Sequence, residues 1–203
     1  MTNLDVSSET VDSPVHTSGV DHVTVWGSNA ETVLGFYRDV LGMRLVLRQP
    51  NLDDPSQTHL FLDAGDGRIL TFFVNPDRPR HTGPQRVSTG GVHHLAFRVP
   101  AEEFEGVARA LEDEGRGYNV FDRGIFHSLY TRDPDGLVVE ITTDRYDFAD
   151  ERRADVLAET QRIREEEGAD YAEAEHLRQA LENLDVEYTE NELPDVESGV
   201  GGL

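Results

Sequence analysis

From residue 19 to residue 75 the apolar positions change period in a set order. Residues 20–26 alternate, with Val20, His22, Thr24 and Trp26 on one face and Asp21, Val23 and Val25 on the other, which predicts a strand. Ser28-Asn29-Ala30-Glu31 then has the spacing of a capping box. Behind it Val33, Phe36, Tyr37, Val40 and Leu41 recur at helical spacing, and Gly42 is placed to stop that helix. Strand patterns return over residues 44–49, 58–63 and 68–74. A loop at 50–55 separates the first two, and Ala64-Gly65-Asp66-Gly67 makes a hairpin turn between the last two.

The same order recurs after residue 91. A strand over 92–99 leads through Pro100, suited to a first helical turn, into a stripe of Phe104, Val107, Ala108 and Leu111 that Gly115 ends. Short strands follow near 118–121, 126–131 and 137–142. Two registers fix the repeat. His22 and His94 each stand fourth in an apolar run, at an offset of 94 − 22 = 72. Asp66-Gly67 and Asp135-Gly136 align Thr71 with Glu140, an offset of 140 − 71 = 69. The chain therefore reads as α+β: two βαβββ modules forming a curved mixed sheet around a cleft, with a helical C-terminal extension.

The remaining segments differ in character. Residues 1–18 read as a disordered polar arm, and the two-module domain as 19–148, with modules at 19–75 and 91–144 and a linker at 76–90. Residues 149–184 form a helical extension, with charged patterns at 150–167 and 171–184 anchored by Val156, Ile163, Leu177 and Leu181. Residues 185–203 read as an acidic disordered tail.

Charge and composition narrow the function classes. The formal net charge is −22, and all 18 basic residues are Arg. Such an acidic surface keeps a protein soluble where salt screens self-repulsion, as in proteins of salt-loving organisms, and it disfavours nucleic acid and anionic membranes as partners. With no Cys, disulfides and thiolate metal sites are excluded. The N-terminal stretch lacks the features of a signal peptide, and no apolar run approaches the length of a membrane span; a cytoplasmic location is the expectation.

Taken singly, a strand histidine is more often a satisfied core residue than a ligand. His22 and His94 as an in-register pair, with Glu140 at the matching last strand, instead suggest one metal shared by the two halves. Glu140 stands among Val138, Val139 and Ile141, where a carboxylate is costly without a cation or partner. Alternation puts Tyr130 on the face of Glu140, and places His59 and Ser128 at one repeat position, with Phe61 and Tyr130 at the next on that face. A Tyr130 hydroxyl there is suited to hydrogen-bond a bound phenolate, and His59 to shuttle a proton. His93 points to the opposite face and is expected to pack against a helix. His16, His81 and His176 are expected at the surface. Arg78, Arg80 and Arg86 either attract an acidic substrate or balance local acidity.

The motifs Phe36-Tyr37-x-x-Val40-Leu41-Gly42-Met43 and Asp133-Pro134-Asp135-Gly136-x-x-x-Glu140 resemble the vicinal oxygen chelate superfamily, which includes glyoxalase I, bleomycin resistance proteins and extradiol dioxygenases. Asn51-Leu52-Asp53-Asp54-Pro55, Thr58-His59-Leu60 and Ile69-Leu70-Thr71-Phe72-Phe73 resemble the first module of hydroquinone-type ring-cleaving dioxygenases. The run from Phe126 to Pro134, Glu140 to Asp144, and Phe148 resemble their last module. Those enzymes typically carry four modules; this chain has two, as if the first and last were joined, and it has His127 where an arginine is common.

The resemblance implies metal ligands His22, His94 and Glu140, catalytic roles for Tyr130 and His59, and Fe(II) as the cofactor, with manganese, zinc or nickel as alternatives. Glyoxalase-type sites usually add a second carboxylate where this chain has Thr71. Two histidines and one carboxylate form the facial set of non-haem Fe(II) oxygenases. The implied activity is extradiol-type cleavage of a catechol- or hydroquinone-like ring with O2. A glyoxalase- or isomerase-like metalloenzyme and a non-catalytic small-molecule binder are the alternatives. The partners would be a small aromatic substrate and O2, with a homodimer left open.

Overall fold

The computed structural model describes residues 5–65 and 67–199. Strand β1 (His22–Trp26), helix α1 (Ala30–Tyr37) and strands β2 (Arg44–Pro50), β3 (Thr58–Asp63) and β4 (Ile69–Val74) build the first module. Strand β5 (His94–Arg98), helix α2 (Ala101–Asp113) and strands β6 (Asn119–Asp122), β7 (Phe126–Arg132) and β8 (Val138–Asp144) build the second. Each module is a four-stranded mixed sheet, ordered β1-β4-β3-β2 and β5-β8-β7-β6, whose only parallel pair joins its first and last strands. The α+β class and the paired βαβββ modules are as the sequence implied, with the eight strands divided between two sheets.

The repeat extends to strand register. Phe61 lies opposite Thr71 in one sheet and Tyr130 opposite Glu140 in the other, both shifted by 130 − 61 = 140 − 71 = 69. Each sheet has one apolar face. Leu60, Leu62, Leu70, Phe72 and Val74 join Leu129, Val139 and Ile141 in a single cluster with α1 (Val33, Phe36, Tyr37) and α2 (Phe104, Ala108, Leu111). Each buried Val, Leu, Ile or Phe side chain there contributes roughly 1.5–3 kcal/mol of transfer free energy. The two modules meet on that side. The Arg116 guanidinium lies 4.9 Å over the Phe36 ring, and the Ser28 N–H donates to Asp135 Oδ2 at 2.7 Å.

Alternation has a consequence for the site. Val23 and Val25 of β1 and Leu95 and Phe97 of β5 pack on the common core. His22, Thr24 and Trp26, and likewise His94 and Ala96, must then lie on faces turned away from it.

Several local expectations are corrected. Asn29, not Ser28, caps α1, its Oδ1 accepting from the Thr32 N–H at 2.9 Å, while the Ser28 hydroxyl is buried without a partner. The helix ends at Tyr37, not Leu41; wider turns (Asp39 N to Leu34 O, Leu41 N to Phe36 O) carry the chain to Gly42, whose φ of 72° closes the turn. His93 is exposed rather than packed against a helix. His176 is buried at the start of helix α4 (Ala174–Asn183), its Nδ1 accepting from the Glu173 N–H and its Nε2 lying 3.2 Å from Glu167.

Helix α4 packs on α3 (Arg153–Glu167) through Val156, Ile163, Leu177, Ala180 and Leu181. The stretch expected as a disordered tail instead forms β10 (Tyr188–Glu190), antiparallel to β9 (Tyr146–Phe148), and then runs along β6. There the Val120 N–H donates to Ser198 Oγ and the Gly199 N–H to the Tyr118 carbonyl. Residues 200–203 of that tail, and residues 1–4 of the arm, lie outside the described part. None of the described helices is long and apolar enough to cross a membrane.

Candidate metal centre

Strand β8 is flanked on both sides within its sheet, so the outward Glu140 is enclosed although it faces away from the core. It is 5% exposed. Its two oxygens are divided between partners: the Ser128 hydroxyl donates to Oε1 at 2.6 Å, and His94 Nε2 lies 2.9 Å from Oε2. On its other side His94 Nδ1 is 2.8 Å from His93 Nδ1, so one of those nitrogens carries a proton and the other accepts it. Tyr130, directly across from Glu140, sets its ring 5.8 Å from the His94 ring at right angles. Burial, and then hydrogen bonding toward Glu140, push the Tyr130 phenol above its ordinary value.

The outward face of the first sheet is built differently. Thr71, fully buried at the repeat position of Glu140, donates its hydroxyl to Thr24 Oγ1 at 2.8 Å. His22 is half exposed and its Nδ1 sits 2.5 Å from Asp21 Oδ1. His59 stacks between Phe61 (4.0 Å) and Phe73 (4.5 Å), and its Nε2 is buried without a partner. Burial first, and then nearby His22, push the His59 imidazole below its ordinary value. Trp26 packs 5.6 Å from Phe73 yet remains 63% exposed.

The chain therefore brings together His94, Glu140, Tyr130 and Ser128 on one sheet, and His22 with His59 on the other. Among the described residues no three His, Asp or Glu side chains form a group able to hold a metal ion within one chain. His94 and Glu140 nevertheless fit a divalent cation chemically. They offer an imidazole nitrogen and a desolvated carboxylate oxygen side by side, with Ser128 orienting the carboxylate from behind.

Two features escaped the sequence reading. The Ser128–Glu140 hydrogen bond was implicit in strand register, because both residues occupy one face of neighbouring strands. The aromatic surface was signalled in part, by His59 and Phe61 sharing one face of their strand and Trp26 sharing the face of His22, while Phe73 was not singled out. Two of the linker arginines are braces: Arg78 donates to the Gly27 and Phe73 carbonyls while lying 4.5 Å over Trp26, and Arg80 donates to the Pro134 carbonyl. His127 faces away from Ser128 and Tyr130, its Nδ1 3.1 Å from the Pro194 carbonyl.

The profile of the Glyoxalase/Bleomycin resistance protein/Dioxygenase superfamily matches residues 19–141. MhqA of Bacillus subtilis (strain 168), named as a ring-cleaving dioxygenase, is 32% identical over 136 residues, covering 64% of this chain and 41% of its own length. The chlorohydroquinone/hydroquinone 1,2-dioxygenase of Sphingobium indicum is 31% identical over 99 residues, covering 46% of this chain and 30% of that protein. The chain thus spans well under half the length of these curated relatives. A crystal structure from Bacillus subtilis subsp. subtilis str. 168, described as a dioxygenase, superimposes with a TM-score of 0.54 at 29% identity over 63% of this chain and 41% of that one. A domain from Frankia sp. EAN1pec shares the fold at a TM-score of 0.55 and 17% identity, covering 64% of this chain and all of that one. With the profile spanning more than half its residues, the chain belongs to the Glyoxalase/Bleomycin resistance protein/Dioxygenase superfamily.

Proposed function

We propose that this chain is an extradiol-type dioxygenase that opens a catechol- or hydroquinone-like ring with O2, using a divalent metal, Fe(II), held by His22, His94 and Glu140. The reading is carried by one observation: the His94–Glu140 pair has only a threonine, Thr71, at the position where a second carboxylate would stand. Two imidazoles and one carboxylate leave more coordination positions open than a four-ligand isomerase set, enough for a chelating substrate together with oxygen. The relatives named for ring cleavage and for hydroquinone agree with it.

Bound Fe(II) would supply Lewis acidity that favours the phenolate form of the substrate, together with redox chemistry toward O2. The protein residues have separate tasks. Ser128 fixes the Glu140 carboxylate by donating to its rear oxygen. Tyr130, a neutral phenol at physiological pH, donates a hydrogen bond to a substrate oxygen. His59, kept neutral and with an unpartnered Nε2, accepts a substrate proton. Trp26, Phe61 and Phe73 offer ring faces and edges against which an aromatic substrate packs and from which water is excluded.

The test is anaerobic reconstitution with Fe(II), addition of substituted catechols and hydroquinones, and measurement of oxygen uptake. Stoichiometric consumption of O2 with loss of the aromatic absorbance is expected. Absence of uptake with every such ring, while Zn(II) or Ni(II) supports another reaction, would overturn the proposal.

A further inference from the structure

We propose that the cleft where the linker crosses the β7–β8 turn binds a phosphate group, free or carried on a small ester, through Arg80, Arg116 and Arg132. The site shares no residue with the candidate metal centre, and the inference stands whatever becomes of the dioxygenase reading.

The three arginines line one cavity of about 290 Å³ together with Thr82 and Asp133. A water's share of liquid volume is about 30 Å³, so a phosphate group and several waters fit. Such a gathering runs against the composition of the chain, in which 18 arginines face 40 acidic residues. Elsewhere arginines find carboxylates: Arg44 meets Asp63, Arg153 meets Asp144, and Arg162 meets Glu159. Among the described residues Arg80, Arg116 and Arg132 form no ion pair. The Nε atoms of Arg116 and Arg132 are buried with no hydrogen-bond partner at all. Unpaired buried donors are costly, and an oxyanion in the cavity is the acceptor that this donor set lacks.

The cluster is held in place by the chain itself. The Arg116 guanidinium lies over the Phe36 ring, and Thr131 Oγ1 donates to the neighbouring Gly117 carbonyl at 2.9 Å, tying that loop to β7. Arg80 donates through Nη2 to the Pro134 carbonyl at 3.0 Å, which leaves its other N–H groups for a ligand. The linker is pressed onto the turn. The Gln85 N–H donates to the Gly136 carbonyl at 3.2 Å, and a Cβ at Gly136 would stand only 2.3 Å from the Gly83 carbonyl oxygen.

Electrostatics point the same way. Burial first lowers the Arg116 guanidinium from its ordinary value; the charge of Arg80 adds to this, while Glu114 and Asp133 pull against it. Asp133 is already engaged, since Tyr37 and the Asp135 and Leu137 N–H groups take its oxygens. One guanidinium fork matches one carboxylate. Three cations brought from the linker, the loop after α2 and the end of β7 call for more oxygen and more charge. A phosphate ester supplies three acceptor oxygens and a charge of about −1.5 to −2.

Calorimetric titration with inorganic phosphate tests this on the parent, Arg80→Gln and Arg116→Gln, with thermal unfolding alongside. Arg80 is exposed, so its variant is expected to fold even if Arg116→Gln does not. The parent should bind one phosphate per chain, and each folded variant should bind it about 10–100-fold more weakly. Phosphate should also raise the melting temperature of the parent more than that of either variant. Phenyl phosphate separates the two sources: tighter binding than inorganic phosphate marks an ester as the ligand, and equal binding marks the free ion. Absence of saturable binding by the parent, or an Arg80→Gln variant that binds as tightly as the parent, overturns the proposal. Succinate binding tighter than both phosphate probes overturns the ligand class.

Discussion

The Tyr37 hydroxyl, on α1 of the first module, donates a 2.9 Å hydrogen bond to Asp133 Oδ2 at the β7–β8 turn of the second. The Asp133 carboxyl is 6% exposed, and its other oxygen accepts the Asp135 and Leu137 N–H groups at 2.9 Å each. This one carboxyl therefore shapes a turn and fastens the modules together. Tyr37→Phe should cost about 1–2 kcal/mol in urea unfolding, since it leaves a buried carboxylate short of a donor.

The same residue predicts a pH dependence. Burial raises the Asp133 carboxyl above its ordinary value near 3.8 despite the donors that lower it. A folded-state value above the unfolded one means that ionisation costs stability. The cost appears as pH rises through that window and is relieved as pH falls. Asp133→Asn keeps an acceptor for the turn and has no charge to bury. Relative to that variant the parent should gain stability between neutral pH and about pH 4, measured by paired urea titrations.

Ser128 and Thr71 separate metal binding from folding. Ser128→Ala removes the donor behind the buried Glu140 and should weaken Mn(II) binding by about 10–100-fold, together with a stability loss of about 1–2 kcal/mol for the carboxylate left short of a donor. Thr71→Val breaks only the hydroxyl pair with Thr24, so it should lower stability by about 1 kcal/mol and leave Mn(II) affinity intact. Titration calorimetry and thermal unfolding on both variants distinguish the two effects.

In the C-terminal hairpin, hydrogen bonds from Arg162 and then Asn183 hold the Glu159 carboxyl down at about 2. A depressed acid contributes stability above its unfolded value, near 4.5, and loses it as pH falls through the folded one. The pair lies near the surface, so the contribution is at most about 1 kcal/mol. The stability difference between parent and Glu159→Gln should therefore shrink as pH falls below about 4.5, checked by unfolding at several pH values.

The net charge of −22 sets a salt dependence. Raising KCl from about 0.1 M to about 1 M shortens the screening length from about 10 Å to about 3 Å. The melting temperature should rise across that range, the behaviour of a salt-adapted surface; a fall would remove that reading of the acidity.

Much of the fold was legible because it rests on periodicity. Alternation put Tyr130 on the face of Glu140, and in the sheet the two stand directly opposite each other. What escaped depends on long-range packing. Strand β10 is three residues long and pairs with β9 some 40 residues earlier, too short for a period to show (188 − 148 = 40). His176 lies in a polar helical stretch, yet it is buried at the start of α4, where the Glu173 N–H and the Glu167 carboxylate meet its ring. Which way each sheet turns its histidine depends on which of its faces joins the common core, a long-range packing that no local pattern encodes.

The central claim is that His22, His94 and Glu140 are ligands of one divalent cation. Anaerobic Mn(II) titration followed by electron paramagnetic resonance, on the parent and on Glu140→Gln, tests it most directly. The account predicts one ion per chain in the parent and a loss of affinity on the order of 100-fold in the variant. A parent protein that takes up no ion, or a variant that binds as tightly as the parent, would contradict it.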